Sequence, residues 1–370
     1  MIHISNNFVS SSVHANLISA LSAIVGEQTV IIPIRDPSHE GKNSEGLSNT
    51  IFYYHLFNNK VIRYFPFAKV FIISLSVYLI LKKILCSRVS KNKLDVVAHN
   101  FWSDGMLAFL NSYVIPMRYV MVVRNTDINY FVSKLPHYRW LMKLAIKRSE
   151  GLVFVSKSHY LRFKSRWPGL LDSAKRVKVI PNAIPDWWLS NLIDKPLPRK
   201  PQACFVGNFV KNKNLGNLVE AGKTVRESVP EFKLLLVGGG EEEFLRLTRL
   251  ETVPDFIELP GKLSKEALLD IYRSSRVFAM PSFTETFGLV YLEALSQGCS
   301  VICSLGEGID GMWDEPFIRS VQPDDVKAIG SIMVELIHSN PDGIPTSWIG
   351  REISHFTWTR VADRYLEFFA

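Results

Sequence analysis

Short apolar runs that end in polar residues recur along the first half of the chain. Runs of this length, rich in aliphatic and β-branched residues, predict buried strands, and helical spacing follows the first of them from about Val13. Alternating strands and helices indicate a parallel sheet whose carboxyl edge gathers the polar residues that follow each strand. The predicted strands of this half are Ile2–Ile4, Thr29–Pro33, Leu94–Ala98, Tyr119–Val123, Gly151–Val155 and Val177–Ile180.

The second half follows the same plan, with predicted strands at Ala203–Val206, Lys233–Val237, Arg276–Met280 and Ser300–Cys303. A chain of 370 residues is too long for one compact core, so two α/β domains are expected. A proline-dense stretch, Lys195–Pro201, lies between the two sets of strands and is typical of a linker. The predicted divisions are a first domain at 1–185, a linker at 186–201, a second domain at 202–354 and a closing helix at 355–370.

The segment Pro281–Leu295 carries the most chemistry, because it sets two carboxylates around a predicted strand-to-helix turn. Glu285 precedes the helix, and Glu293 lies about two turns inside it. The backbone amides at Phe287–Leu289 would open the helix, where free N–H groups and the positive end of the helix dipole suit a diphosphate. The alternative is that Glu285 is an ordinary loop residue and Glu293 an ordinary exposed helix residue.

Charge is divided unevenly along the chain, whose formal net charge is +8. Residues 1–200 hold 27 Lys and Arg against 11 Asp and Glu, whereas residues 201–370 hold 16 against 24. A basic half beside an acidic half indicates that the first half faces an anionic partner such as a membrane leaflet, a phosphorylated lipid or nucleic acid. The alternative is a basic surface that serves solubility alone.

The longest apolar run, Val70–Leu81, would span about 18 Å as a helix, which is short of a bilayer core of roughly 30 Å. Lysines and arginines flank it at Lys60, Arg63, Lys69, Lys82, Lys83, Arg88, Lys91 and Lys93. We therefore expect no transmembrane span, and either a buried helix or a helix in a bilayer interface. The first residues show no signal peptide, and four cysteines without paired short spacings indicate neither zinc nor disulfides, so a cytoplasmic location is expected.

The turn segment resembles the donor-site signature of the retaining glycosyltransferases of family 4, which have the GT-B fold. The residues that carry the resemblance are Pro281-Ser282, Glu285, Phe287-Gly288, Glu293-Ala294 and Gly298. The resemblance implies two Rossmann-like α/β domains facing each other across a cleft, with a C-terminal helix packing back on the first. It also implies that Glu285 meets sugar hydroxyls, that the Thr286–Leu289 backbone meets sugar and diphosphate, and that Glu293 holds the ribose.

A loop after the strand Ala203–Val206 is similar to a second family segment. Gly207 and Lys213 match the family pattern, while Asn208 stands where the family has an arginine. Lys213, with Lys211 as second choice, is expected to stabilise the charge on the departing diphosphate. Gly238–Gly240 resembles the turn near the nucleoside, and the loop Glu258–Leu263 resembles the one that reads the base. The predicted donor-binding residues are Gly207, Asn208, Lys211, Lys213, Gly238, Gly240, Leu263, Glu285, Thr286, Phe287, Gly288, Leu289 and Glu293.

The first domain is expected to bind the acceptor through polar residues on its carboxyl edge, namely Asn7, His99, Asp104, Arg124 and Asp127. Two segments here resemble the family's acceptor side, but Arg124 and Asn125 replace a usual His-Gly pair, and Ser10–Ser12 replace usual glycines. For His99 the alternative is a packed core histidine. The predicted catalytic residues of the whole chain are Lys213, Glu285 and Asp127.

The function predicted by this resemblance is transfer of a sugar, with retention, from a nucleotide-diphosphate sugar to a hydroxyl acceptor. The setting would be surface-polysaccharide or lipid-linked glycan synthesis, with the protein peripheral on the inner face of the membrane. Because no Asp-x-Asp pair, phosphate-binding loop or dinucleotide fingerprint occurs, no metal or cofactor is expected. Alternatives are an epimerase or hydrolase of the same fold, a non-catalytic nucleotide-sugar-binding module, and a nucleic-acid binder, which would explain only the basic half.

Overall fold

The computed structural model describes residues 1–57, 66–87 and 93–370. This part of the chain forms two compact units. The first comprises Met1–Val155, His159–Asn182 and Trp358–Ala370, and the second comprises Ser156–Ser158 and Ala183–Thr357. Residues 186–201, expected to be a linker, lie within the second unit, where they form a short helix and the start of a strand.

Each unit is built on one parallel sheet. The first has seven strands in the order β3-β2-β1-β4-β5-β6-β7, and the second has six in the order β10-β9-β8-β11-β12-β13. The fold class predicted from the sequence, two Rossmann-like α/β domains, is confirmed. The strands are β1 Ile2–Ile4, β2 Gln28–Ile34, β3 Thr50–Leu56, β4 Leu94–Ala98, β5 Met117–Val123, β6 Gly151–Phe154, β7 Val177–Val179, β8 Lys200–Val206, β9 Lys233–Val237, β10 Ile257–Gly261, β11 Ser275–Ala279, β12 Ser300–Ser304 and β13 Ile318–Val321.

Helices connect these strands and cover the sheets. They are α1 Ser12–Val25, α2 Pro66–Ser87, α3 Ser103–Asn111, α4 Arg139–Arg148, α5 Lys157–Arg166, α6 Pro168–Leu171, α7 Asp186–Ser190, α8 Leu215–Ser228, α9 Glu241–Thr248, α10 Lys265–Ser274, α11 Leu289–Ser296, α12 Val326–Ser339, α13 Thr346–Glu352 and α14 Trp358–Leu366. A π-helical segment, Asp127–Val132, follows β5.

The helices of the first unit divide between the two faces of its sheet. The chain steps from β1 to β3 towards one edge and from β4 to β7 towards the other, and right-handed crossovers then place α1 opposite α2, α3 and α4. Side chains from α2, α3 and α4 share one buried apolar cluster with the sheet. On the other face α14 packs against α1, so the C-terminal helix belongs to the first unit.

Helix α2 corrects a prediction. It has 22 residues and a length of about 33 Å, so the length predicted from Val70–Leu81 was wrong. The apolar run ends at lysines, but lysine is a good helix former and the helix continues through Lys82 and Lys83. Its part Lys69–Ser87, with mean hydropathy 2.0, is long and apolar enough to cross a membrane by length and composition alone. The flanking Lys60, Arg63, Arg88 and Lys91 lie outside the described residues.

Two other elements differ from the prediction. Most of the segment Glu258–Leu263, expected to be a loop, belongs to the strand β10, which pairs with β9. Its Pro260 hid the strand, and a proline is tolerated here because β10 lies at the edge of the sheet. The closing helix begins at Trp358 rather than at 355, after a 3-10 turn at Ile353–His355.

Candidate active site

Two of the predicted catalytic residues form an ion pair in the second unit. Lys213 Nζ lies 2.6 Å from Glu285 Oε2, although 72 positions separate them in the chain. They follow β8 and β11, which are neighbours in the sheet, so the parallel topology brings their loops to one edge. Both side chains are largely buried, with 20% and 15% exposed. Screening by water is therefore weaker than at an open surface.

Asn212 fixes the position of this pair by joining the two loops. Its side-chain oxygen accepts hydrogen bonds from the amide of Thr284 at 3.1 Å and from its hydroxyl at 2.8 Å, and its side-chain nitrogen donates to the Thr284 carbonyl at 2.7 Å. Phe283 N also donates to the Asn212 carbonyl at 2.9 Å. The ammonium of Lys213 is thus held beside Glu285 by its neighbour in sequence. Lys211 and Asn208, also predicted to bind the donor, are exposed.

Glu307 belongs to this site, and the sequence did not reveal it. Its Oε2 accepts a hydrogen bond of 2.9 Å from the amide of Glu285, and Gly308 N donates to the Glu285 carbonyl at 3.1 Å. Glu307 is 5% exposed and lies in the loop after β12, the next strand in the sheet. Its place after a buried strand was the one signal that could have found it.

Two glycines of the donor loops allow neighbouring parts of the chain to approach closely. Gly238 has φ +125°, and a Cβ there would lie 2.3 Å from the carbonyl oxygen of Gly207, so the two loops touch where any side chain would intrude. A Cβ on Gly239 would lie 2.4 Å from the ring of Phe209. Gly240 precedes α9 in open space, so packing does not require a glycine there.

Gly288 caps the N-terminus of α11 with φ +78°, and a Cβ at this position would lie 2.5 Å from the ring of Tyr291. Helix α11 starts at Leu289, so the amides of Phe287–Leu289 do lie at a helix N-terminus, where an anion is stabilised. The amide of Thr286 is already engaged by Glu285 Oε1 at 2.9 Å.

Glu293 lies on α11 and receives a hydrogen bond of 3.4 Å from the hydroxyl of Tyr272. Burial raises the pKa of Glu293 to about 7, and the Tyr272 hydrogen bond partly opposes this rise. A carboxyl with this pKa changes charge near neutral pH. Leu263, predicted to meet the base, lies half-buried in the loop before α10.

In the first unit, Asn7, Asp104 and Asp127 line one cavity of about 510 Å³. Basic and apolar groups complete its wall, among them Lys69, Arg35, Ile34, Val70, Ile73 and Phe131. Burial raises the pKa of Asp104 to about 7, against hydrogen bonds from Asn100 Nδ2 at 2.7 Å and Asn6 N at 3.2 Å. The cavity thus combines polar and apolar lining residues.

Asp127 is saturated with backbone hydrogen bonds. Its Oδ2 accepts from the amides of Phe101 at 3.1 Å and Arg124 at 3.0 Å, and its Oδ1 accepts from that of Trp102 at 2.9 Å. Burial raises the pKa of Asp127 to about 6 although these bonds stabilise the charged form. These contacts show a residue that holds the loops after β4 and β5 together; the catalytic role predicted for it stays a prediction.

His99 and Arg124 are not among the residues that line this cavity. His99 is fully buried, with its Nε2 3.1 Å from His3 Nδ1 and its ring 4.7 Å from that of His14. This is the packed core histidine that the sequence left as an alternative. Arg124 Nε donates to the carbonyl of His99 at 2.8 Å. Within the described ranges, no group of three His, Cys, Asp or Glu could hold a metal ion.

The fold agrees with what comparison with known proteins finds. Over the whole chain the structure is similar to that of sucrose-phosphate synthase from Thermosynechococcus elongatus, with a TM-score of 0.72, 17% identity, and coverage of 100% of this chain and 97% of that one. This likeness shows the GT-B fold. Residues 193–340, most of the second unit, match the family described as Glycosyl transferases group 1. The resemblance inferred from the residues is thus confirmed for this segment.

Relatives of known name match shorter parts. The chain is 36% identical over 115 residues to the sulfoquinovosyl transferase SQD2 of Arabidopsis thaliana, covering 30% of this chain and 21% of that protein. It is 27% identical over 226 residues to the GDP-mannose-dependent monoacylated alpha-(1-6)-phosphatidylinositol monomannoside mannosyltransferase of Corynebacterium glutamicum, covering 55% and 57%. The chain therefore spans less than two thirds of the length of either relative.

Proposed function

We propose that the protein is a retaining glycosyltransferase that moves a sugar from a nucleotide-diphosphate sugar to a hydroxyl acceptor. The observation that carries this proposal is the Lys213–Glu285 ion pair of 2.6 Å at the carboxyl edge of the second sheet. A cation and a carboxylate beside a helix N-terminus provide contacts for a diphosphate and for sugar hydroxyls within one site. The match of residues 193–340 to the group 1 family supports the assignment.

In the proposed reaction, the bond between the anomeric carbon and the diphosphate oxygen breaks, and its electron pair stays with the diphosphate. The acceptor oxygen bonds to the same carbon, and its proton passes to the departing diphosphate oxygen. The Lys213 ammonium faces the oxygen on which charge develops, so it stabilises the transition state more than the ground state. Glu285 accepts hydrogen bonds from the sugar, and the Thr286–Leu289 backbone meets sugar and diphosphate. Because a fixed ammonium supplies the charge, the reaction needs no metal ion.

The acceptor is proposed to bind in the first unit, in the cavity lined by Asn7, Asp104 and Asp127. Its mixed lining suits a glycan or a lipid-linked glycan, with the acceptor hydroxyl beside the polar residues. The name of the Corynebacterium relative describes an acylated phosphatidylinositol mannoside and GDP-mannose, which supports a setting in surface-glycan or glycolipid synthesis. The basic first half faces an anionic membrane rather than nucleic acid.

A thermal-shift screen of the purified protein against UDP, GDP, ADP and CMP, each with and without magnesium, tests the donor site first. A rise in melting temperature with one diphosphate would support the proposal and identify the base. Transfer assays with sugars on that base would follow. A folded protein that responds to none of the four would favour a module without transferase activity.

Glu293→Ala is expected to weaken binding of the preferred nucleoside diphosphate about tenfold, because one hydrogen-bonding carboxylate is lost from the proposed ribose site. Isothermal titration against the diphosphate measures this. Glu335→Ala, which removes an exposed carboxylate on α12, is the control. Equal affinity in the Glu293 variant and the parent protein would remove the ribose assignment.

Transfer activity is expected to survive excess chelator unchanged. The measurement is the initial rate of sugar transfer before and after incubation with EDTA. Magnesium is then added in excess of the EDTA to test whether any lost rate recovers. A loss of rate that magnesium restores would overturn the metal-free mechanism, while leaving the donor site itself untouched.

A further inference from the structure

The outer side of α2 is apolar although it faces away from the core. Its inner stripe, including Val70, Ile73, Val77 and Leu81, is buried in the apolar cluster of the first unit. On the opposite stripe Phe71, Ile72, Leu75 and Leu79 are between 43% and 66% exposed. Four large apolar side chains exposed within nine residues are unusual for a surface helix, whose outer stripe is normally polar.

Lysines extend this stripe in the direction of the helix C-terminus. Lys82 and Lys83 are exposed on α2 after the apolar residues. The helix is anchored in the fold by Asn111 of α3, whose Nδ2 donates to Ser74 Oγ at 2.9 Å. Because the inner stripe belongs to the core, the outer stripe is the part of α2 that a lipid phase can reach.

Helix α4 repeats the combination on the same face of the sheet. Trp140 and Leu144 are 63% and 45% exposed, and they alternate with exposed Lys143 and Lys147 at helical spacing. Helix α3 packs between α2 and α4. At the end of α3, Tyr113 is 61% exposed, and the guanidinium of Arg148 from α4 lies 4.3 Å from the centre of its ring.

The charge of this region favours an anionic occupant. Between residues 51 and 149 the sequence holds 15 Lys and Arg but only three acids, Asp95, Asp104 and Asp127. Asp95 pairs with Arg118 at 2.9 Å, and the other two are buried. A second copy of the chain would bring two such cationic surfaces together, which is unfavourable, whereas an anionic bilayer attracts each basic residue by about 1 kcal/mol.

We propose that the exposed stripes of α2 and α4, with Tyr113 between them, form a docking face for an anionic lipid bilayer. Phe71, Leu75, Leu79, Trp140 and Leu144 enter the boundary between headgroups and acyl chains, and the lysines meet anionic headgroups. The inference rests on the proposed membrane setting but not on sugar transfer. The cavity that contains Lys69, Val70 and Ile73 of the same α2 lies at the first turns of this helix, so a lipid-linked acceptor would reach it from the docking face.

Vesicle sedimentation of the full chain tests the docking face. We compare phosphatidylcholine vesicles with and without phosphatidylglycerol, and expect binding to the anionic vesicles that salt weakens. Leu75→Asp with Leu79→Asp is expected to reduce this binding on the order of tenfold or more, since two apolar anchors become anions. The matched control is Ile24→Asp with Val25→Asp on α1, on the other face of the sheet, where the two residues are 41% and 44% exposed.

Charge-reversal variants separate the electrostatic part of binding from the apolar part. Lys143→Glu with Lys147→Glu is expected to weaken anionic binding on the order of tenfold or more, and Lys223→Glu with Lys327→Glu, exposed in the second unit, to change it little. Unfolding curves and nucleotide-diphosphate shifts of every variant verify folding and keep failure of the donor site distinct from failure of docking. Equal binding by the α2 variant and its control would overturn the proposal. So would sedimentation equilibrium without lipid that shows a dimer of the parent chain which the α2 variant loses while it still binds the vesicles.

Discussion

Lys213→Ala is expected to lower the turnover of sugar transfer by about 10²- to 10³-fold, the range observed when one preorganised charge-stabilising donor is removed. The Lys213 ammonium lies 2.6 Å from Glu285, and the lysine side chain is 20% exposed. Water that enters the space left by the mutation would therefore stabilise the developing charge less than the fixed ammonium does. The charge on the leaving diphosphate is greatest in the transition state. The loss should therefore fall mainly on kcat, with a smaller effect on the affinity for the diphosphate.

Lys211→Ala provides the comparison, because Lys211 is the second choice for the same role, lies two positions away and carries the same charge, but is exposed. It is expected to change kcat less than threefold, a loss of roughly half a kcal/mol. Thermal unfolding of both variants separates catalysis from the loss of the ion pair with Glu285. Equal kcat in the Lys213 variant and the parent protein would show that another group stabilises the leaving diphosphate.

The central strands were predictable from sequence because helices cover both faces of the sheets. Continuous apolar runs result, as in β4, β5 and β11. The missed strands β3, β10 and β13 all lie at sheet edges and have largely half-buried residues. Half burial removes the apolar run on which the prediction depended. The hydrophobic pattern of an edge strand is therefore a weaker guide to its presence than that of a central strand.

The site divides in the same way. Lys213 and Glu285 were predictable because each follows a strand at a spacing that the family shares. Glu307 was not predictable, because it accepts a hydrogen bond from the backbone amide of Glu285. Every residue except proline has such an amide, so the identity of residue 285 does not indicate this contact. Asp127 was placed on the correct edge, but two of its three amide partners, those of Phe101 and Trp102, come from a loop distant in sequence. Location followed from topology, whereas function depends on contacts that sequence spacing does not encode.

Helix α2 shows a third limit. A run of apolar letters gave its core but not its ends, because the helix extends through lysines whose charges interrupt the run. Which side of the helix was buried could not be deduced either, since both stripes are apolar. The buried and exposed stripes differ in what packs against them, and that depends on the sheet and on α3.

Asp127→Ala is expected to destabilise the first unit by about 3 kcal/mol at neutral pH. The amides of Phe101, Trp102 and Arg124 would lose their acceptor in a buried setting, and each unsatisfied buried donor costs about 1–3 kcal/mol. Removal of a desolvated carboxylate offsets part of this cost. Urea unfolding of the full chain, followed by the fluorescence of its tryptophans, measures the difference.

Asp127→Asn is the control, because it keeps the volume and one acceptor oxygen. That oxygen can serve the two amides now bound by Oδ2, while the new NH2 faces the Trp102 amide, so roughly a third of the contacts is lost. Burial raises the pKa of Asp127 to about 6, above its unfolded value near 3.9. The native state then binds a proton that the unfolded chain does not, so the wild-type protein gains stability over Asp127→Asn as pH falls from about 6 to about 4. A difference that stays constant or narrows over this interval would show that Asp127 is ionised in the fold, and that its three amides outweigh its burial.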